Sequence, residues 1–257
     1  MDKILMNKSV TNIKWNPESD SDKIIVHCAD NTTYEADHVI CTASLGILKK
    51  HHQTLFTPQL PEAKRKAIES IGFGTIGKVF LEFEKPFWPT DRTVWCGYSF
   101  LWTQSDLNDI RGTNKEWLEG IFSFFIVDAH PNVLSGFIAG KQIKLFEQLS
   151  DEQVMEDCIW LFEKFLSKSV SITKPISIKT TKWMTNENFL GSYSYLSTAT
   201  AKMNVTPMDL AKPLMSNAQK PCIMFAGEAT HHITGFAHGA IETGWREGQR
   251  IVDFHIK

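Results

Sequence analysis

The sequence predicts a mixed α/β fold, with α+β character in its middle. Three observations predict it. Compact β-branched or apolar runs of strand length stand near both ends, at 38–43 and 222–226. Apolar residues recur at helical spacing over 141–168 and 238–254. Between them, 78–84 alternates with a period of two, Val79, Leu81 and Phe83 against Lys78, Phe80 and Glu82.

Taken in order, 10–15 and 23–28 are short β-branched runs separated by the turn cluster Asn16-Pro17-Glu18-Ser19-Asp20, and 32–36 follows an Asp30-Asn31 turn. Together they predict a small antiparallel meander. The run His38-Val39-Ile40-Cys41-Thr42-Ala43 has the apolar density of a buried parallel strand. Residues 60–68 form a short helix, with Pro61 in its first turn, Ala63, Ala67, Ile68 and Ile71 on one face and Gly72 at its end. Further strands are expected at 94–102, 120–127 and 133–139. The helical stretch 141–168 falls in two pieces, the second opened by Ser150 with Gln153 three residues on and striped by Val154, Cys158, Leu161, Phe162 and Phe165. Residues 176–183 return to strand, 222–226 form another buried strand, and 238–254 form a closing helix carrying Ile241, Trp245, Ile251 and Val252.

Composition narrows the class. With 27 Lys+Arg against 29 Asp+Glu the formal charge is −2, which gives no electrostatic reason to expect nucleic acid or an anionic membrane as partner. No run approaches the roughly 18 apolar residues of a membrane span. Cys28, Cys41, Cys96, Cys158 and Cys222 are odd in number, scattered and without a CxxC pair, as buried thiols in a reducing compartment would be. A cytoplasmic protein is the expectation. The pairs His51-His52 and His231-His232 lack metal-ligand spacing, so no metal is expected, and no GxSxG is present. Trp88 and Trp95 are expected in the core.

The segment with most chemical content is Phe225-Ala226-Gly227-Glu228-Ala229-Thr230, followed by His238-Gly239-Ala240 and Gly244-Trp245-Arg246-Glu247. It reads as strand, glycine turn, carboxylate, loop and helix. A helix N-terminus offers free N–H groups and partial positive charge to an anionic ligand. Gly227 admits a ligand close to the backbone, and Glu228 accepts hydrogen bonds from sugar hydroxyls. By spacing alone, a strand–turn–helix joint that binds nothing is the favoured reading.

As a string of residues, however, FAGEAT…HGAIETGWREGQRI resembles the C-terminal FAD motif of the flavin-containing amine oxidases, in the polyamine (spermine or acetylpolyamine) oxidase branch. Three further segments resemble that family in the same order: ADHVICTASLGILKK at 36–50, IGFGTIGKVFLEFEKPFW at 71–88, and LGSYSY at 190–195. The resemblance runs from about Asn7 to Phe254. It implies a partial FAD-binding, Rossmann-like domain in two discontinuous pieces, 1–50 and 186–257, around a mixed-sheet substrate domain at 51–185. It implies that Lys78 holds a water near the flavin and that Tyr193 packs beside the substrate amine, with Phe189 and Phe236 in the same substrate wall. Without it, Lys78 reads as a solvated strand lysine and Tyr193 as core. For the cofactor it implies contacts from Val10, Thr42, Gly227, Glu228 and the backbone of Ala237.

The resemblance implies FAD-dependent oxidation of polyamines by dioxygen with release of hydrogen peroxide. Ser192 stands where the monoamine oxidases carry the cysteine that bonds FAD, so the FAD would be non-covalent. The loop from Glu228 to His238 is one residue shorter than in typical relatives, and Phe236-Ala237 replaces a small hydroxylic pair, which alters one wall of the amine cage. Polyamine is favoured over histone lysine because the match includes LEFEKPFW and GEATH, and because the inserted coiled-coil arm of the demethylases is missing. No strand–GxGxxG–helix unit occurs: Gly46, Gly72, Gly74 and Gly77 do not make one. The chain is thus expected to be the C-terminal half of a larger oxidase, or alternatively a truncated, catalytically incompetent fragment that binds no FAD alone.

Overall fold

The computed structural model describes residues 3–19, 22–91, 96–217 and 219–256. The chain divides into two compact units, Met1–Gly74 with Asn188–Lys257, and Thr75–Glu187. The second junction falls two residues after the one expected at 185/186. The first falls at 74/75 rather than 50/51, because two helices beyond residue 44 belong to the core of the first unit.

In the first unit, Thr33–Ala36, Ile24–Cys28 and Val10–Lys14 form the expected antiparallel meander, and Phe56–Thr57 joins its edge in parallel. A second sheet orders Leu214–Met215, Pro221–Phe225 and Val39–Cys41; the last two run parallel, with Phe225 opposite Cys41. Pro221–Phe225 is buried throughout, as expected, whereas Val39–Cys41 leaves Ile40 partly exposed. The sequence pattern does not predict the helix Leu45–Leu55. Ser44 caps it by accepting the Ile47 N–H at 3.2 Å, and Leu45, Leu48 and Leu55 face inward. With Ala67, Ile68 and Ile71 from the predicted helix, found at Glu62–Ser70, they close one core around Ile13, Phe56, Ile223 and Phe225. Gly72–Gly74 pairs antiparallel with Tyr193–Tyr195, and the Tyr195 ring lies where a Cβ on Gly72 would stand, 2.5 Å away.

The closing helix runs from Ala237 to Ile256, and it presents its apolar residues outward: Ile241, Trp245 and Val252 are exposed, while Gly239, Thr243 and Glu247 are buried. This reverses the ordinary amphipathic arrangement, because the inner face is held by polar bonds instead of apolar packing.

Lys64 is a polar group inside the core of this unit. It is buried within the core, donating to the carbonyls of Leu210 at 2.7 Å and Lys212 at 2.5 Å at the end of the helix Pro207–Ala211, with its ammonium 4.1 Å from the Phe225 ring centroid. Burial, partly offset by the Glu247 carboxylate, holds the ammonium down to about 7 from its ordinary 10.5. Between those values the unfolded chain binds the Lys64 proton and the folded chain does not. Stability therefore gains a component that rises with pH from about 7 to 10.5, at up to about 1.4 kcal/mol per pH unit. Urea midpoints measured across that window for the wild chain and Lys64→Met check it: the variant should lose the rise.

The second unit is a five-stranded antiparallel sheet in the order Ser177–Thr180, Gly77–Glu82, His130–Ile138, Ile121–Val127 and Gly97–Ser99. The last strand lies within the expected 94–102, of which 94 and 95, including Trp95, fall outside the described residues. Trp88 is in the core as expected. The helix Asp151–Leu166 starts at Ser150, whose hydroxyl accepts the Gln153 N–H at 3.2 Å, and buries Val154, Cys158, Leu161 and Phe162 against Val79, Leu81, Phe124 and Leu134. The alternation of 78–84 thus sends Val79 and Leu81 to the helix-covered face and Lys78 and Phe80 to the other.

Candidate functional site

The parallel strands Val39–Cys41 and Pro221–Phe225 end side by side, the Ala226 N–H donating to the Cys41 carbonyl at 3.1 Å. Thr42 follows one strand and Ala226-Gly227 the other, so two positions far apart in sequence stand at the carboxyl ends of parallel strands, the usual place for a ligand in an open α/β sheet. Thr42 is exposed there. Gly227 has φ +131°, a conformation that side chains rarely adopt, and a Cβ on it would meet nothing within 4 Å, so the space in front of it is open. Its N–H donates to the Thr243 hydroxyl at 2.9 Å, and its carbonyl accepts from Thr230.

Glu228 holds the protein itself. Its carboxylate accepts the Ser194 hydroxyl at 2.7 Å, the Ser194 N–H at 3.2 Å and the Gly235 N–H at 2.8 Å. It thereby joins the strand Tyr193–Tyr195 to the loop that leads into the closing helix. Most of this capacity is spent on one oxygen; the other takes a long bond from the Ser194 N–H, at 3.3 Å. Tyr193 is half-buried, its ring over Gly235, where a Cβ would stand 3.6 Å from it; burial raises its phenol above the ordinary range. Phe236 follows Gly235 in the chain and is exposed, with its ring 5.5 Å from that of His238. Ala237 opens the helix, and the N–H groups of its first turn lack partners within the helix.

Tyr193, Glu228, Gly235 and Phe236 are therefore brought together by one hydrogen-bonded knot, with Gly227 and Thr42 at the adjoining strand ends. Phe189 is exposed, and its carbonyl accepts the Ser44 hydroxyl at 2.6 Å. Val10 is exposed at the start of its strand, where the ladder slips between Val10 and Asn12. Lys78 belongs to the other unit, half-buried on the sheet face away from the helix, with its ammonium 4.6 Å from the Phe137 ring centroid. Sequence reading missed Ser194, Gly235 and Thr243. Only Ser194, inside the LGSYSY run, carried any signal.

Glu228→Ala removes the acceptor for three donors. It is expected to cost about 2 kcal/mol and to lower hydrogen-exchange protection at the Ser194 and Gly235 amides. Unchanged protection at both would contradict the knot.

Open space at a strand-end glycine, a helix that opens ten residues further on and a carboxylate one oxygen of which takes a single long bond are features of α/β proteins that take nucleotide-like ligands, and the residues present fit a flavin dinucleotide. The chain belongs to the flavin-containing amine oxidoreductase family: the family's sequence model, "Flavin containing amine oxidoreductase", matches residues 2–252. It is 33% identical over 263 residues to the peroxisomal N(1)-acetyl-spermine/spermidine oxidase of Homo sapiens, covering 98% of this chain and 51% of that protein. It is 32% identical over 254 residues to histone demethylase-like protein A of Aspergillus fumigatus, covering 96% of this chain and 22% of that protein. In structure it resembles a putrescine oxidase bound to putrescine, with a TM-score of 0.67 at 16% identity over 98% of this chain and 50% of that one, which shows a shared fold. The chain spans about half the length of the polyamine oxidase it matches. Among the described residues, no group of three or more His, Cys, Asp and Glu is placed to hold a metal, and no helix is long and apolar enough to cross a membrane.

Proposed function

We propose that the chain takes part in FAD-dependent oxidation of polyamines. One C–N bond of spermine, spermidine or an acetylated form is oxidised, water cleaves the product to aldehyde and amine, and dioxygen is reduced to hydrogen peroxide. The observation that carries this reading is the pairing of the Thr42 and Gly227 strand ends with the helix opening at Ala237, in a chain whose family carries flavin. FAD, held non-covalently, supplies the redox chemistry when bound.

The chain's own residues do the rest. The N–H groups at the start of the closing helix stabilise negative charge on the bound group. Gly227 allows it close to the backbone, and the less occupied oxygen of Glu228 takes one of its hydroxyls. Val10 and Thr42 contribute further contacts to the dinucleotide. Tyr193, Phe189 and Phe236 supply apolar walls for an amine chain, and Lys78 orients a water. Polyamine is preferred to a histone lysine because LEFEKPFW and GEATH stand in the segments that resemble the polyamine oxidase branch. Among the described residues the five cysteines, four of them buried, form no disulfide, which is the usage of a reducing, cytoplasmic setting.

A second reading is favoured by the share of the relatives that the chain spans: alone, it binds no FAD and turns nothing over. The test is a visible absorption spectrum of the purified chain with added FAD, followed by peroxide release with spermine, spermidine, N1-acetylspermine and putrescine. Bound flavin and peroxide with a polyamine support the oxidase. A colourless, folded chain supports the second reading.

A further inference from the structure

Four lysines among the described residues place their ammonium over an aromatic ring. Lys64 also donates to backbone carbonyls, Lys115 also pairs with Asp157, and Lys164 also pairs with Asp106. Lys78 differs: among the described residues its ammonium has the Phe137 ring, 4.6 Å to the centroid, and no carboxylate, hydroxyl or carbonyl. A ring face attracts a cation through its quadrupole without accepting a directed hydrogen bond in the way that a carboxylate does. Such a seat restrains the head of the side chain while leaving its charge uncancelled and its N–H donors available.

The seat is built. Phe137 stands directly opposite Lys78 in the antiparallel ladder, on the same face. The Phe137 ring is braced by Phe125, edge-on at 5.7 Å, and by Phe122 at 5.8 Å. On the other flank Thr181 fixes the backbone of Lys78 from both sides: the Lys78 N–H donates to the Thr181 hydroxyl at 2.9 Å, and the Thr181 N–H donates to the Lys78 carbonyl at 3.0 Å. This clamp lies just past the last ladder pair of the edge strand, Thr180 with Val79.

We infer that Phe137 and Thr181 are positioning residues for Lys78, the ring holding its ammonium and the threonine its backbone, so that the N–H donors stay free for a water or an amine ligand. The functional meaning of this seat rests on the oxidation reading above; the seat itself does not.

The test uses the whole chain, its lysines reductively dimethylated with 13C-formaldehyde and observed by NMR. The Lys78 signal is identified by its loss in Lys78→Arg. In the wild chain it is expected upfield of the bulk dimethyl-lysine signals, from the Phe137 ring current. Phe137→Leu should return it to the bulk position, Phe137→Tyr should keep it upfield, and Thr181→Val should reduce the shift. A Lys78 signal at the bulk position in the wild chain, or one still upfield in Phe137→Leu, overturns the inference. If Phe137→Leu does not fold, the wild chain and Phe137→Tyr decide it alone. Where peroxide release is observed, Phe137→Leu should lower it in the wild background and add no further loss to Lys78→Met; additive losses overturn the positioning role. An upfield signal in a chain that releases no peroxide upholds the seat and counts only against the oxidation reading.

Discussion

Replacing Asp157 with alanine is expected to destabilise the unit Thr75–Glu187 by about 3–5 kcal/mol, the cost of breaking a buried charged network. Asp157 is fully buried in the middle of the helix Asp151–Leu166, where a carboxylate has no access to water. It is satisfied instead by three donors: Lys115 at 2.9 Å, the indole N–H of Trp117 at 2.7 Å and Gln153 at 3.0 Å. Trp117 is fully buried too, so without Asp157 its N–H has no acceptor and cannot reach solvent. Lys115 is partly exposed and can rehydrate, so most of the cost falls on the indole and on the cavity. Asp157→Asn keeps one acceptor and the volume, and should cost less than half as much. Urea unfolding followed by tryptophan fluorescence measures both variants. An unfolding free energy for Asp157→Ala within about 1 kcal/mol of the wild chain's would show that the network contributes little.

The same helix shows what a sequence can disclose. Its start is legible because a cap and a stripe of apolar residues are local signals, and both recur in the structure at Ser150 and at Val154, Cys158, Leu161 and Phe162. The strand Gly77–Glu82 is legible for the same reason. The helix Leu45–Leu55 is not, because Lys49, Lys50, His51 and His52 dilute its leucines, and His52 is itself buried. Gly72–Gly74 reads as punctuation yet forms a strand, since a tyrosine ring more than a hundred residues away occupies the space of the absent side chain. At the candidate site, Gly227 and Glu228 could be picked out by residue type. What could not be read is that Glu228 spends its carboxylate on Ser194 and Gly235, because that pairing exists only once the strand Tyr193–Tyr195 is in place. Local chemistry was visible, and its partners across the fold were not.

The other large effect is expected at Arg246, and it links stability to the site. Its guanidinium donates to the carbonyl of Phe225 at 2.9 Å and to the carbonyl of Thr230 at 3.0 Å, one on each side of the Gly227 turn, and to Glu247 at 2.5 Å. Glu247 is fully buried and accepts from Arg250 at 2.7 Å as well. Arg246→Met removes the fork that spans the turn and one of the two arginines paired with Glu247. Breaking a buried ion pair from one side costs about 3–5 kcal/mol. Arg246→Lys keeps a charge but cannot reach both carbonyls and Glu247 together, so it should recover less than half of the loss. Trp245→Ala, one residue earlier, removes a far larger apolar side chain that is 73% exposed, and surface changes of that kind stay within about 0.5 kcal/mol. The order Arg246→Met, Arg246→Lys, Trp245→Ala in thermal midpoint, lowest first, is the measurable consequence. Because the fork fixes the φ +131° turn at Gly227 against the closing helix, flavin retained after gel filtration should follow the same order in any preparation where the wild chain retains it. A Trp245→Ala midpoint as low as that of Arg246→Met would mean that the helix is held by its apolar face after all.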